Sequence, residues 1–196
     1  MKIFKEPKDL LLFINNYPKD KPLIISIDGK NGSGKSTLAK IISVELGFSH
    51  IELDSDRYLE KNKGKYVNYI FYDILKKDIT ELLEKQKSIV IEGICILQIL
   101  EIIEIKPNIK IYVKRMSKDG NFWYDAKLFN YSKSPDEIIK QEKNILQKFI
   151  RISSEIEGIT FNQTPIKDSL TYEIIRYHHK YKPDLNADII YERKEN

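Results

Sequence analysis

Cysteine is almost missing: Cys95 is the single one in 196 residues. An internal disulfide is therefore excluded, and its place in the apolar run Ile94-Cys95-Ile96-Leu97 points to a core thiol in a protein kept in a reducing compartment. Seven prolines and eight glycines are too few for a collagen-like or low-complexity chain. No uncharged stretch approaches about 18 residues, and the apolar patch Leu10 to Ile14, preceded by Glu6 and Asp9, is too short for a signal peptide or a membrane span. A cytoplasmic location without a membrane partner is the expectation. Charge of one sign is not in excess either, since 33 basic and 29 acidic side chains leave +4, well mixed along the chain. That balance lacks the one-sided field of a dedicated nucleic-acid binder, and neither a basic stripe nor interleaved aromatics favours nucleic acid. Anionic small molecules suit it at least as well.

What is present is a foldable mixture, 41% apolar and 32% charged, at the usual size of one domain, so a single domain over residues 1–196 is expected. Pro7 to Asn16 is expected as a short helix, followed by the β-branched strand Leu23 to Ile27 and a glycine-rich turn. From Lys35 to Leu46, Leu38, Ile41, Ile42 and Leu46 recur at helical spacing, and Gly47 is placed to cap that helix. Further strands are expected at His50 to Leu53, Ser88 to Glu92, Ile109 to Val113 and Asp188 to Tyr191. Helices are expected from about Val67 to Lys85, from the capping box Ser134-Pro135-Asp136-Glu137 to about Glu157, and from Asp168 to Tyr181. Strands alternating with helices argue for an α/β fold with a parallel sheet covered on both faces.

The most informative segment is Gly29-Lys30-Asn31-Gly32-Ser33-Gly34-Lys35-Ser36, which satisfies G-x-x-x-x-G-K-[ST] and lies between an expected strand and an expected helix. Its glycines let the backbone curl so that successive N–H groups point at phosphates, while the helix N-terminus adds positive potential. Lys35 would reach the outer phosphates and Ser36 would offer a hydroxyl to magnesium. Residues Gly29 to Thr37 are therefore the candidate nucleotide-binding residues.

Carboxylates follow two other strands at their C-terminal ends, where ligands of open parallel sheets gather. Glu92 closes Ile89-Val90-Ile91-Glu92-Gly93 and would hold magnesium through water; the plainer alternative is a glutamate opening a surface turn. Asp54 and Asp56 follow the second strand. Phosphoryl transfer to a hydroxyl needs one carboxylate to orient the alcohol and accept its proton and another to contact metal or acceptor, and this pair can serve both purposes. The alternative is an acidic turn capping the next helix.

In these segments the chain resembles P-loop small-molecule kinases, most nearly the uridine kinase and phosphoribulokinase group. The resemblance lies in Ile27-Asp28-Gly29 through Ser36-Thr37, Asp54-Ser55, Tyr72-Asp73, Ile91-Glu92-Gly93-Ile94, Tyr181-Lys182-Pro183 and Ala187 to Ile190. It implies a five-stranded parallel sheet of order 2-3-1-4-5 with helices on both faces and a lid. It also implies ATP and Mg2+, transfer of the γ-phosphate to a hydroxyl of a small metabolite, foremost a nucleoside, and Asp54 as the base. Ser36 and Glu92, together with Asp54, would serve the metal, and Asp56 and Asp73 the acceptor. Asp54-Ser55-Asp56 also looks like the acidic motif of shikimate kinases, although the triple glycine those enzymes carry on the third strand is missing.

Uridine kinases usually carry several arginines in a short helix after the fourth strand, whereas this chain has only five arginines in all. Lys114, Arg115 and Lys118 occupy that neighbourhood, so residues 115–134, with the aperiodic stretch Ser117 to Ser134, are expected to form a mobile lid in which Arg115 faces the transferring phosphate. Trp123 and Tyr124 would either stack on a flat ring or pack the lid against the body. His178 and His179 face different directions on a helix and fit phosphate contact, solvation or the core. A guanine-reading Asn-Lys-x-Asp is lacking, because the Asn62-Lys63 pair is followed by Gly64-Lys65. That counts against a GTPase switch, the main alternative class.

Overall fold

A computed structural model describes residues 1–18, 20–60, 65–157 and 170–195. The pair Asn62-Lys63 with Gly64, and the start expected at Asp168, lie outside them. In chain order the elements are β1 (Lys2–Phe4), α1 (Pro7–Asn15), β2 (Ile24–Asp28), α2 (Lys35–Leu46), β3 (Ser49–Glu52), α3 (Tyr72–Glu84), β4 (Ile89–Glu92), α4 (Ile96–Ile102), β5 (Ile109–Met116), α5 (Pro135–Glu157), α6 (Leu170–Tyr181) and β6 (Ile189–Lys194). Among the described residues the strands make one sheet of order β1-β6-β5-β2-β4-β3, parallel throughout.

The expected five-stranded count is thus corrected to six. The five strands read from sequence stand in the expected order, and β1 adds an edge strand by pairing Ile3 with Ile190. α4 was not anticipated either. The expected helix from Val67 is two pieces: a single 3-10 turn at Val67–Tyr69, an extended Ile70 bridging Leu59, and then α3 from Tyr72.

Alternation along the central strands divides the core. Ile25 and Ile27 of β2, Val90 of β4 and Ile109, Ile111 and Val113 of β5 pack with Leu10, Ile14, Leu38 and Ile42 of α1 and α2. Ile24, Ile89 and Ile91 face the opposite side with Leu75 and Ile79 of α3, Ile99 of α4 and Ile175 of α6. Burial on both faces accounts for the continuous β-branched runs of β2 and β4. Ser134 and Glu137 close the capping box of α5, the Glu137 N–H donating to Ser134 Oγ (3.2 Å) and the Ser134 N–H to Glu137 Oε2 (2.7 Å). No helix among the described residues is long and apolar enough to cross a membrane.

This topology places the C-terminal ends of β2, β4 and β3 side by side. Asp28, Glu92 and, two residues beyond its strand, Asp54 consequently share one edge of the sheet with the glycine-rich loop.

Candidate active site

The loop between β2 and α2 needs glycine where it touches its neighbours. A Cβ at Gly29 (φ +148°) would lie 2.8 Å from both Ser33 Oγ and the Val113 carbonyl oxygen, and one at Gly34 (φ +103°) 2.7 Å from Arg193 Cδ. Gly34 begins α2 without a side-chain cap, so the first N–H groups of that helix remain available to an anion. Asn31, Gly32 and Gly34 to Thr37 line a cavity of about 450 Å³ together with Asp54 and Arg193. Gly29, Lys30 and Ser33 lie behind that lining: Ser33 is buried, and Lys30 Nζ donates to Asp125 Oδ1 at 2.8 Å.

Lys35 is 5% exposed and donates to the Lys30 carbonyl (3.2 Å). Burial lowers its pKa, opposed by Glu92, Asp28 and Asp54 in that order. An entering phosphate would add a further counter-charge.

Glu92 is 1% exposed, and among the described residues neither of its carboxylate oxygens has a hydrogen-bond partner. Burial raises its pKa against the lowering influence of Ser36 and Lys35. His50 Nε2 stands 3.9 Å away, but burial lowers the histidine's pKa and keeps it from serving as a firm countercation. A buried, unpaired carboxylate beside a serine hydroxyl is costly without a cation. Glu92 and Ser36 therefore fit a magnesium ion, which takes few protein oxygens and completes its shell with phosphate and water. No cluster of three or more His, Cys, Asp or Glu suited to a metal occurs among the described residues.

Asp54 Oδ1 accepts from the Tyr66 hydroxyl at 2.5 Å, which fixes the carboxylate at the cavity wall. Asp28, directly before Gly29, accepts the Gly29 N–H (2.7 Å) and the hydroxyl of Tyr177 from α6. Burial pushes Asp28 up to about 7, although Tyr177, the Gly29 N–H and Lys35 all pull it down.

The remaining expected residues lie elsewhere. Asp56 is exposed, and Asp73 is exposed in the first turn of α3; neither lines the phosphate cavity. Arg115 also lies outside the cavity lining, 3.9 Å from Glu195 and over the Tyr124 ring. Residues 117–134 form no regular helix: Met116 bridges back to Trp123, and Leu128 and Phe129 are buried. Trp123 packs edge-on to Tyr112 and against Phe129, which puts it among the body's rings.

His178 is core as well, stacked on Phe129 at 3.6 Å. Its Nδ1 meets the Ile174 carbonyl and its Nε2 the Tyr112 hydroxyl (both 2.8 Å), so Nδ1 carries the proton of a neutral ring. Burial lowers its pKa to about 3. Cys95 is buried and its thiol is pushed well up by burial.

Arg193 is the cavity residue that sequence reasoning missed. It lies in β6, beside Arg115 in register, and its Nη1 reaches the Gly32 carbonyl at 3.4 Å. Nothing local in Tyr191-Glu192-Arg193-Lys194 marks it; only the β5–β6 pairing carries it to the loop.

Parts of this chain are similar to known proteins. The shikimate kinase family model matches residues 31–115. A cytidylate kinase of Sulfurisphaera tokodaii is 28% identical over 143 residues, 65% of this chain and 76% of that protein. A second cytidylate kinase, from Chlorobaculum tepidum, is 37% identical over 71 residues, or 36% of this chain and 29% of that protein's length. The solved structure of a possible uridine kinase from Bacillus stearothermophilus aligns over 94% of this chain and 96% of that one at a TM-score of 0.50 and 15% identity, a likeness of fold. With the phosphate loop on the matching strand–helix junction, the chain resembles the P-loop small-molecule kinases.

Proposed function

We propose that the protein is an ATP- and magnesium-dependent kinase that transfers the γ-phosphate to a hydroxyl of a small metabolite, with nucleosides the first class to test. The observation that carries this reading is the convergence of Asp54, Lys35 and Arg193 on the phosphate cavity beside the unpaired Glu92.

The chain's own groups divide the work. The α2 N-terminus and loop N–H groups hold the phosphates, and Lys35 and Arg193 neutralise charge as it spreads over the transferring group. Magnesium, when bound at Ser36 and Glu92, adds further charge neutralisation. The acceptor hydroxyl gives its proton to Asp54 as its oxygen bonds to the γ-phosphorus, and the bond from that phosphorus to the bridging oxygen breaks to release ADP. Tyr66 holds one Asp54 oxygen and leaves the other for the proton. Asp56 and Asp73 are kept as acceptor contacts and Arg115 as a contact of the transferring phosphate, which requires the segment after β3 and α3 to approach the cavity and the Arg115 side chain to turn toward it when substrates bind.

ADP release with ATP and Mg2+ across nucleosides, sugars, vitamins and amino acids tests the reading, with Lys35→Ala as control. An active acceptor is expected, with the variant losing at least ~100-fold in turnover. A folded Lys35→Ala protein with full activity would end the proposal.

A further inference from the structure

The side chain that holds Asp54 is itself held from a distant part of the chain. Tyr66, whose hydroxyl donates to Asp54, stands at the start of the 3-10 turn Val67–Tyr69 and gives that turn no side-chain cap of its own. The first N–H groups of a helical turn have no partner within it. Here Glu173 of α6 takes two of them, accepting the N–H of Tyr66 at Oε2 (2.7 Å) and that of Val67 at Oε1 (3.0 Å), across 107 and 106 residues of chain. Hydrogen bonds to an ionised acceptor are roughly twice as strong as neutral ones.

Further contacts fix the place of Tyr66. Its side chain is buried, and a Cβ at Gly93 would lie 2.9 Å from its hydroxyl oxygen, so the glycine directly after Glu92 keeps open the space in which that hydroxyl meets Asp54. Tyr72 of α3 donates to the Val67 carbonyl (2.7 Å) and pins the turn from the other side. Burial and the neighbouring Asp54 push the Tyr66 pKa well up, so the hydroxyl remains a donor. On α6, Tyr177 follows Glu173 by four residues, on the same face, and donates to Asp28 at the root of the phosphate loop. One helix thereby reaches both the base and the loop.

We propose that Glu173 is a positioning residue of the phosphoryl transfer: by fixing the backbone of Tyr66 it sets the Tyr66 hydroxyl, and through it the carboxylate of Asp54. The inference rests on the kinase reading for the role of Asp54. A serine or aspartate at the start of the turn would satisfy an N–H group as well. It would leave the turn free to shift against α6, whereas a carboxylate reaching in from α6 settles where the turn stands.

The test uses Glu173→Gln, which keeps the length and one acceptor oxygen but turns an amide NH2 toward the second N–H. Its first arm needs no turnover. Tyrosines isotopically labelled at the ring carbon that bears the hydroxyl are followed by NMR, with Tyr66→Phe identifying the Tyr66 signal and Asp54→Ala marking its position once the hydrogen bond is lost. In Glu173→Gln that signal should move most of the way to the Asp54→Ala position. Glu173→Asp, which withdraws the carboxylate by one methylene and keeps its charge, should move it in the same direction by less, and carries the test if Glu173→Gln does not fold. A signal that stays at the wild-type position overturns the proposal, as does a signal that Asp54→Ala leaves unmoved.

The second arm measures turnover with the acceptor that gives the fastest ADP release. Glu173→Gln should lower kcat about 10- to 100-fold while the KM for ATP stays within about twofold of wild type, the effect expected of a small misplacement of one reacting group. In the Tyr66→Phe background the same substitution should change kcat by less than about twofold, because the contact through which it acts is already cut. An equal loss in both backgrounds, in proteins matched for folded fraction by thermal unfolding, overturns the proposal and makes Glu173 a structural residue. No ADP release with any acceptor would instead refute the kinase reading, and the Tyr66 signal would then decide by itself whether Glu173 places Asp54.

Discussion

Asp28 offers a thermodynamic test of the loop's foundation. Its carboxyl has an ordinary value of 3.8 and is pushed up to about 7 in the folded chain, chiefly by burial. A group whose folded value is raised gives stability that is complete below 3.8 and is lost as the pH climbs toward 7, because the native state holds a proton that the unfolded chain has released. Three units at 1.36 kcal/mol each correspond to about 4 kcal/mol, a large part of the stability usual for one domain. Asparagine keeps the shape and the acceptor for Gly29 N–H but cannot ionise. Urea unfolding of wild type and Asp28→Asn between pH 4 and 8 measures the difference. The wild-type stability minus that of the variant should fall by about 1.4 kcal/mol per pH unit between 4 and 7 and then level off. A difference that is flat, or that rises with pH, would show that Asp28 is ionised in the folded protein and that Tyr177 and Lys35, not burial, control it.

Three further outcomes can be measured directly. Asp54→Asn should lower kcat by at least ~100-fold with little change in the KM for ATP, and an unaltered kcat would move the base to Asp56. Glu92→Gln should raise the magnesium concentration needed for half-maximal rate, because the carboxylate acts through the ion; equal dependence in both proteins would make Glu92 a structural residue. Hydrogen exchange over residues 117–134 should slow when an ATP analogue and acceptor are bound, and Asp125→Ala, which removes the partner of Lys30, should speed exchange in the unliganded protein. Identical protection in every state would make the segment a rigid connector.

The phosphate loop was legible because its residues are contiguous and each letter has a local cause. The inner strands were legible because burial on both faces leaves uninterrupted runs such as Ile24-Ile25 and Ile89-Val90-Ile91. β1 was not, since an edge strand of three residues with Lys2 and Lys5 about it has no such run. α4 was hidden for the opposite reason: Ile94 to Ile103 is apolar almost throughout, so it has no periodicity, and it starts from Cys95 at φ +54°. Asp54 and Glu92 could be proposed from their strand ends. Tyr66, Tyr177 and Arg193 could not, because they meet the site across 12, 149 and 161 residues of chain respectively, through contacts that only the folded chain creates.

Those separations bear on the order in which the molecule is assembled. Among the described residues β1 pairs in the sheet with β6 alone, and the loop after β2 acquires Arg193 from that same strand. A nascent chain that has emerged as far as α5 can already bring β2 to β5 together, but its first strand waits unpaired and its phosphate loop lacks one wall. Closing so long a loop carries an entropic cost that local contacts cannot offset, so β6 should join late. Nucleotide binding would then be completed only once β6 has joined, and ATP would act as a ligand that selects and holds that strand in place.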